Sequence, residues 1–169
     1  MPSKIEKAAS KTMGAAKVIK ATFRGLDGVF KKLMEEHGEV TALILRVSMS
    51  SDASVRAELY PTIRQELLAH EQAELAVVYP ELAEYPDTRN IAARHAAEAS
   101  QLQLAIKALD ALDYGDAGWS SGFERLADLV KKHVEEEEKE FFPKAQATIG
   151  EVRAKALESR YEASKKGAQ

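Results

Sequence analysis

The sequence predicts an all-α protein: an up-down antiparallel four-helix bundle with a C-terminal helical extension. Apolar residues recur at alternating intervals of three and four through four long segments, as the buried face of a helix requires. Clusters of Ser, Asp, Pro and Gly separate those segments and supply turns and caps. The chain's four histidines fall one to a segment, each on the seam that should face the core.

Residues 1–17 are small, polar and Lys-bearing and read as a leader before the bundle, which is expected over 18–149 with the extension at 150–169. The first bundle helix carries Phe23, Leu26, Phe30, Leu33, His37, Val40, Ile44 and Val47 on its seam and ends near Ser50-Ser51-Asp52. The second carries Ile63, Leu67, His70, Glu74 and Val77, with Glu71 at the edge. Pro61 should disturb its first turn, and Pro80 and Pro86 should kink its end. Asp87 is the expected N-cap of the third helix, whose stripe is Ile91, His95, Glu98, Leu102, Ala105, Leu109 and Leu112, and Gly115 and Gly118 close it. The fourth runs through Phe123, Leu126, Val130, His133, Glu137 and Phe141 up to Pro143. After Gly150, the spacing of Val152, Ala156, Leu157 and Tyr161 predicts a short fifth helix.

Composition bounds the function. A chain of 169 residues with 45% hydrophobic and 30% charged residues suffices for one domain with a real core. There are no cysteines, which excludes thiolate zinc sites and iron–sulfur clusters and leaves His and carboxylate as metal donors. A net charge of −3 gives no basic excess for neutralising phosphates, so no nucleic-acid partner is expected. No apolar run has signal-peptide or membrane-spanning length, so a cytoplasmic protein with no membrane partner is expected.

The seam histidines point to metal. His70 and Glu74, like His133 and Glu137, are four residues apart, which places imidazole and carboxylate on one helix face about 6 Å apart along the axis. Four imidazoles and two carboxylates replace apolar residues at core positions on four helices, and unpaired buried charge of that kind costs several kcal/mol. A bound cation pair compensates it. Donors of this type suit iron, manganese or zinc. Two carboxylates can bridge metals about 3.5–4 Å apart, leaving positions for an oxo or hydroxo bridge and a small ligand. Glu98 and Glu140 are candidates to hold the ligands from outside, whereas Glu135 and Glu138 in the acidic run should form a solvated face. A zincin would need a second His where Glu74 stands. A ferritin-like site would need Glu where Leu67 and Val130 stand.

With one His on helices one and three and His-x-x-x-Glu on helices two and four, the chain resembles the hemerythrin-like, HHE cation-binding family over roughly residues 20 to 145. The closing Glu137-Glu138-Lys139-Glu140-Phe141-Phe142-Pro143 is similar to that family's acidic-aromatic-proline ending. The resemblance implies a non-haem di-iron site with His37, His70, His95 and His133 as terminal ligands and Glu74 and Glu137 as bridges. Oxygen-carrying members have a further His where this chain has Ala99. Some members of the wider family compensate with a carboxylate beside the second-helix His, which is the place of Glu71, a further candidate ligand. The resemblance therefore implies small ligands such as peroxide, dioxygen or nitric oxide. Catalase- or peroxidase-like defence against oxidative stress is the expected role, and a sensor, carrier or store without turnover the alternative.

Overall fold

The structure, a computed structural model, describes residues 1–168, and every regular element among them is helical. α1 (Lys4–Phe23) begins on a capping box in which Ser3 Oγ accepts from the Glu6 N–H and the Glu6 carboxylate accepts from the Ser3 N–H. The expected line between leader and bundle at 17/18 thus falls inside a helix. Phe23, expected to open the first seam, is 88% exposed at the end of α1, because the chain turns through Gly25–Gly28 before the bundle begins. Gly28 adopts φ +56°, and a Cβ there would lie 2.3 Å from the Ala154 carbonyl carbon, so only glycine fits this turn.

α2 (Val29–Ser48) leads to α3 (Ala53–Ala73), capped by Asp52 Oδ1 accepting from the Ser54 N–H at 2.8 Å. α3 runs through Pro61 and passes without a break into a π-helical turn, Glu74–Val78, and then α4 (Tyr79–Ala83). α5 (Arg89–Asp110) is preceded by Thr88 rather than Asp87 at the cap position. The Thr88 hydroxyl donates to Leu82 O at 2.6 Å, holding the turn from α4. Leu112 lies beyond α5 and is 38% exposed. α6 (Ala117–Glu136) continues into a second π-helical turn, Glu137–Phe141, and α7 (Phe142–Ala168). Gly150, at φ +76° and ψ 171°, breaks α7 and sends its second half back over the bundle. There Ala154, Leu157 and Tyr161 are buried, whereas Val152 and Ala156 face solvent.

α2 and α5 each lie between α3 and α6, which makes the four-helix bundle; α1 packs along α2, and α7 packs on α2 and α3. The core is in two parts. One end holds Leu43, Ile63, Ile106, Trp119 and Phe123 among others, the opposite end Phe30, Leu33, Leu82, Phe142 and Leu157. On every bundle helix the seam passes from one apolar part to the other across a polar residue: His37, His70, His95 or His133. The polar layer lies across the middle of the molecule.

Candidate metal centre

Each π-helical turn begins at a seam glutamate and ends just before an aromatic-proline pair. The Tyr79 N–H bonds Glu74 O and the Phe142 N–H bonds Glu137 O, five residues back in each case. Pro80 and Pro143 lack the N–H that an unbroken helix would use. The wider turn absorbs that loss, and turns of this kind cluster at functional sites. It also turns the glutamate side chain and its successors relative to the helix before it.

The six predicted ligands converge. Glu137 Oε2 lies 3.2 Å from both His37 Nε2 and His133 Nε2, and Oε1 lies 3.5 Å from His95 Nδ1. Glu74 Oε2 is 3.4 Å from His70 Nε2 and 3.6 Å from His95 Nε2. Glu71 joins them, with Oε1 3.2 Å from His133 Nε2 and Oε2 3.3 Å from His95 Nε2. One set of ligand atoms from His70, Glu74, His133 and Glu137, and another from Glu71, Glu74 and His95, each falls within a 4.8 Å span. Glu74, Glu137 and His95 have no exposed surface.

Three imidazoles are held from behind. His37 Nδ1 lies 3.2 Å from Glu138, His70 Nδ1 3.0 Å from Glu36, and His133 Nδ1 3.5 Å from Glu98. A carboxylate at Nδ1 fixes the tautomer and leaves Nε2 free for a metal. Glu98 thus lies against His133, whereas Glu140 is exposed and Glu138, expected to be solvated, is buried. The π-helical turn rotates residue 138 inward, and α1 covers it: Lys17 and Lys20 pair with its carboxylate and Arg24 donates to its carbonyl. Glu36 accepts from the Tyr161 hydroxyl at 2.7 Å and pairs with Lys165 at 2.8 Å, both from α7. His95 is stacked on Tyr79 at 3.6 Å and His37 on Phe142 at 5.7 Å. The Tyr79 hydroxyl donates to Glu137 Oε1.

Without a cation the carboxylates part ways. Burial, reinforced by Glu137 and Glu71, pushes the Glu74 carboxyl well above its usual range. Burial acts the same way on Glu137, but His133, His37 and His95 outweigh it and hold that carboxyl well below. His95 rises to about 9: burial opposes its charge, and Glu137 and Glu71 override it. Burial lowers His70, which serves as a neutral donor to Glu36.

Hydrogen bonding inside the cluster is incomplete. Among the described residues, the buried side-chain atoms without a partner are Trp119 Nε1 and the facing atoms of this cluster. These are Nε2 of His37, His70, His95 and His133, Nδ1 of His95, both oxygens of Glu74 and one each of Glu71 and Glu137. Buried polar groups are rarely left so, and convergent, unpartnered N and O donors fit a cation.

The hemerythrin HHE cation binding domain matches residues 29–145, well over half the chain. The chain belongs to that family. This hemerythrin-like domain starts at α2, so α1 and the second half of α7 are additions around it. A DNA nickase of Nostoc sp. (strain PCC 7120 / SAG 25.82 / UTEX 2576) is 23% identical over 133 residues, 77% of this chain and 37% of that protein. The chain thus spans little more than a third of that relative's length. No solved structure matches.

Proposed function

We propose that this hemerythrin-like chain holds two iron ions between His37, His70, Glu74, His95, His133 and Glu137, with Glu71 as a further ligand, and reacts with peroxide or dioxygen as a catalase- or peroxidase-like scavenger. The observation that carries the reading is the set of unpartnered donor atoms on four helices, too many and too spread for one tetrahedral ion. A bound iron pair would supply the electrons for O–O chemistry. The residues supply the rest. Glu71 stands within 3.3 Å of two imidazoles, so an anionic oxygen accompanies the absence of the imidazole that Ala99 replaces. An anionic donor favours the higher oxidation state and weighs against reversible oxygen carriage. The Tyr79 hydroxyl holds a proton at Glu137 Oε1, and the apolar ends of the bundle keep bulk water from both. With a net charge of −3, the chain's charge lends no support to DNA as a partner, despite the relative's name.

Metal analysis and an electronic spectrum, followed by oxygen evolution from hydrogen peroxide, test this. Two irons per chain with turnover support it. Two irons that bind dioxygen or nitric oxide without turnover favour the sensor or carrier. One zinc and no iron in protein from iron-replete cells would sink both.

A further inference from the structure

A cavity of about 590 Å³ runs from the metal cluster to the surface under the start of α1. A water occupies about 30 Å³, and peroxide or dioxygen little more, whereas pockets of about 300–1,000 Å³ take ligands of many heavy atoms. Its floor is His37, His70, Glu71 and His133. Its walls are Val40, Leu43, Leu67, Leu102, Val130 and Val134, contributed by all four bundle helices. These keep 4–8% of their surface exposed while Leu59, Ile63 and Leu126, deeper in the same core, keep none. The core therefore opens along one apolar lane that leads to the imidazoles.

Three lysines stand at the mouth. Lys4, Lys7 and Lys11 of α1 line it, spaced three and four apart on one helix face, and none forms an ion pair among the described residues. Lys4 and Lys7 lie in the first turn of α1, where cations work against the helix dipole, so helix stability does not explain them. Of the acids on the same lining, Glu36 and Glu66 are both paired with Lys165, at 2.8 and 2.9 Å, and Glu39 and Glu71 complete the set.

We infer that this cavity binds a medium- or long-chain aliphatic carboxylate, its head group held by Lys4, Lys7 and Lys11 and its chain lying along the apolar lane toward the histidines. The inference rests on the proposed function only for the place of the cluster, not for the identity of the metal.

The test is displacement of a fluorescent polyene fatty acid from the metal-loaded full chain, below micellar concentrations, by dodecanoate, methyl dodecanoate and butyrate. Dodecanoate should displace the probe, the ester should be weaker by about tenfold, and butyrate should fail. Replacing the three lysines (Lys4→Gln, Lys7→Gln, Lys11→Gln) should weaken dodecanoate about tenfold while leaving metal content and the far-ultraviolet spectrum unchanged. Leu43→Trp, which fills the lane away from the cluster, should abolish binding. Equal displacement by acid and ester, or dodecanoate binding unaffected by both sets of variants, overturns the inference. Absence of probe or dodecanoate binding with two metals in place also overturns it and leaves the proposed function standing. Dodecanoate binding in a chain that holds no iron does the reverse.

Discussion

Gly38→Ala tests whether the histidine cluster depends on α1. Gly38 follows His37 on α2, and α1 crosses it at Gly14. A Cβ on Gly38 would lie 2.5 Å from Met13 O and 2.8 Å from Gly14 Cα, against about 3.5–4.0 Å for ordinary contact. Both are backbone atoms, so α1 must withdraw by roughly 1 Å. Overpacking of this size costs about 1–3 kcal/mol. In a chain of this length that lowers Tm by about 2–12 °C. The withdrawal also takes Lys17 and Lys20 from Glu138, which orients His37, and losing such an outer partner lowers metal affinity about 10–100-fold. Gly14→Ala is the comparison. Its closest contact is the rotatable Glu39 Cγ at 2.7 Å, with Glu35 O at 3.0 Å, so its effect should be smaller. Thermal unfolding by circular dichroism and metal per chain after dialysis against a chelator give both numbers. A Gly38→Ala protein that melts within about 1 °C of the wild type and keeps its metal would refute this account of α1.

His133→Ala should lose most of the metal and Glu98→Gln a smaller part, since Glu98 touches only the far nitrogen of His133; elemental analysis after gel filtration distinguishes them. Stripping the metal should lower Tm, by about 2.7 kcal/mol of stability when the ion is present at a hundred times its Kd, and equal melting of apo and holo protein at matched pH would contradict it. Metal uptake should release protons, measurable with a pH indicator in weak buffer. His95 is raised to about 9 in the metal-free protein, so its proton must leave at neutral pH and affinity should fall as pH falls. Ala99→His with Glu71→Gln, checked first for two metals because Ala99 is only 1% exposed, should slow peroxide decomposition and lengthen the life of an oxygenated form; unchanged turnover would show that this position does not control the chemistry.

The seams of α2, α3, α5 and α6 were legible because burial on one helix face imposes its period on the residues, and the histidines shared that period. The start of the bundle was not. Phe23 and Leu26 keep the same three-and-four spacing as Phe30 and Leu33, so the pattern runs through a turn that only Gly25 and Gly28 betray. Glu138 was hidden for a different reason. A π-helical turn adds a residue to the helix and shifts the inward face, so extrapolating from His133 and Glu137 at 3.6 residues per turn selects Glu140 and leaves Glu138 outside. Val152 and Ala156 share the helical spacing of Leu157 and Tyr161 but face solvent, because the buried face of α7 includes its contact with the α1–α2 turn at Gly28, which the local pattern does not encode.

The two halves of the site repeat more than the His-x-x-x-Glu spacing. His70, Glu74, Tyr79 and Pro80 recur as His133, Glu137, Phe142 and Pro143, each with its π-helical turn and each with its aromatic ring stacked on the lone histidine of another helix. The wider turn accommodates the proline and presents the glutamate, and the aromatic residue stacks on the imidazole. At the aromatic position the halves differ by a single oxygen. Tyr79 has a hydroxyl where Phe142 has none, and it reaches across to Glu137, the glutamate of the other half. Glu137 therefore has a hydrogen-bonded oxygen, whereas both oxygens of Glu74 are unpartnered. Two carboxylates in equivalent positions are thus unequal in the metal-free protein: burial beside Glu137 and Glu71 raises the Glu74 carboxyl, and His133, His37 and His95 lower that of Glu137. Tyr79→Phe would remove one of the groups that break the symmetry of the repeat, Glu71 opposite Val134 being another. A cation pair held by such a repeat would have two chemically distinct sides.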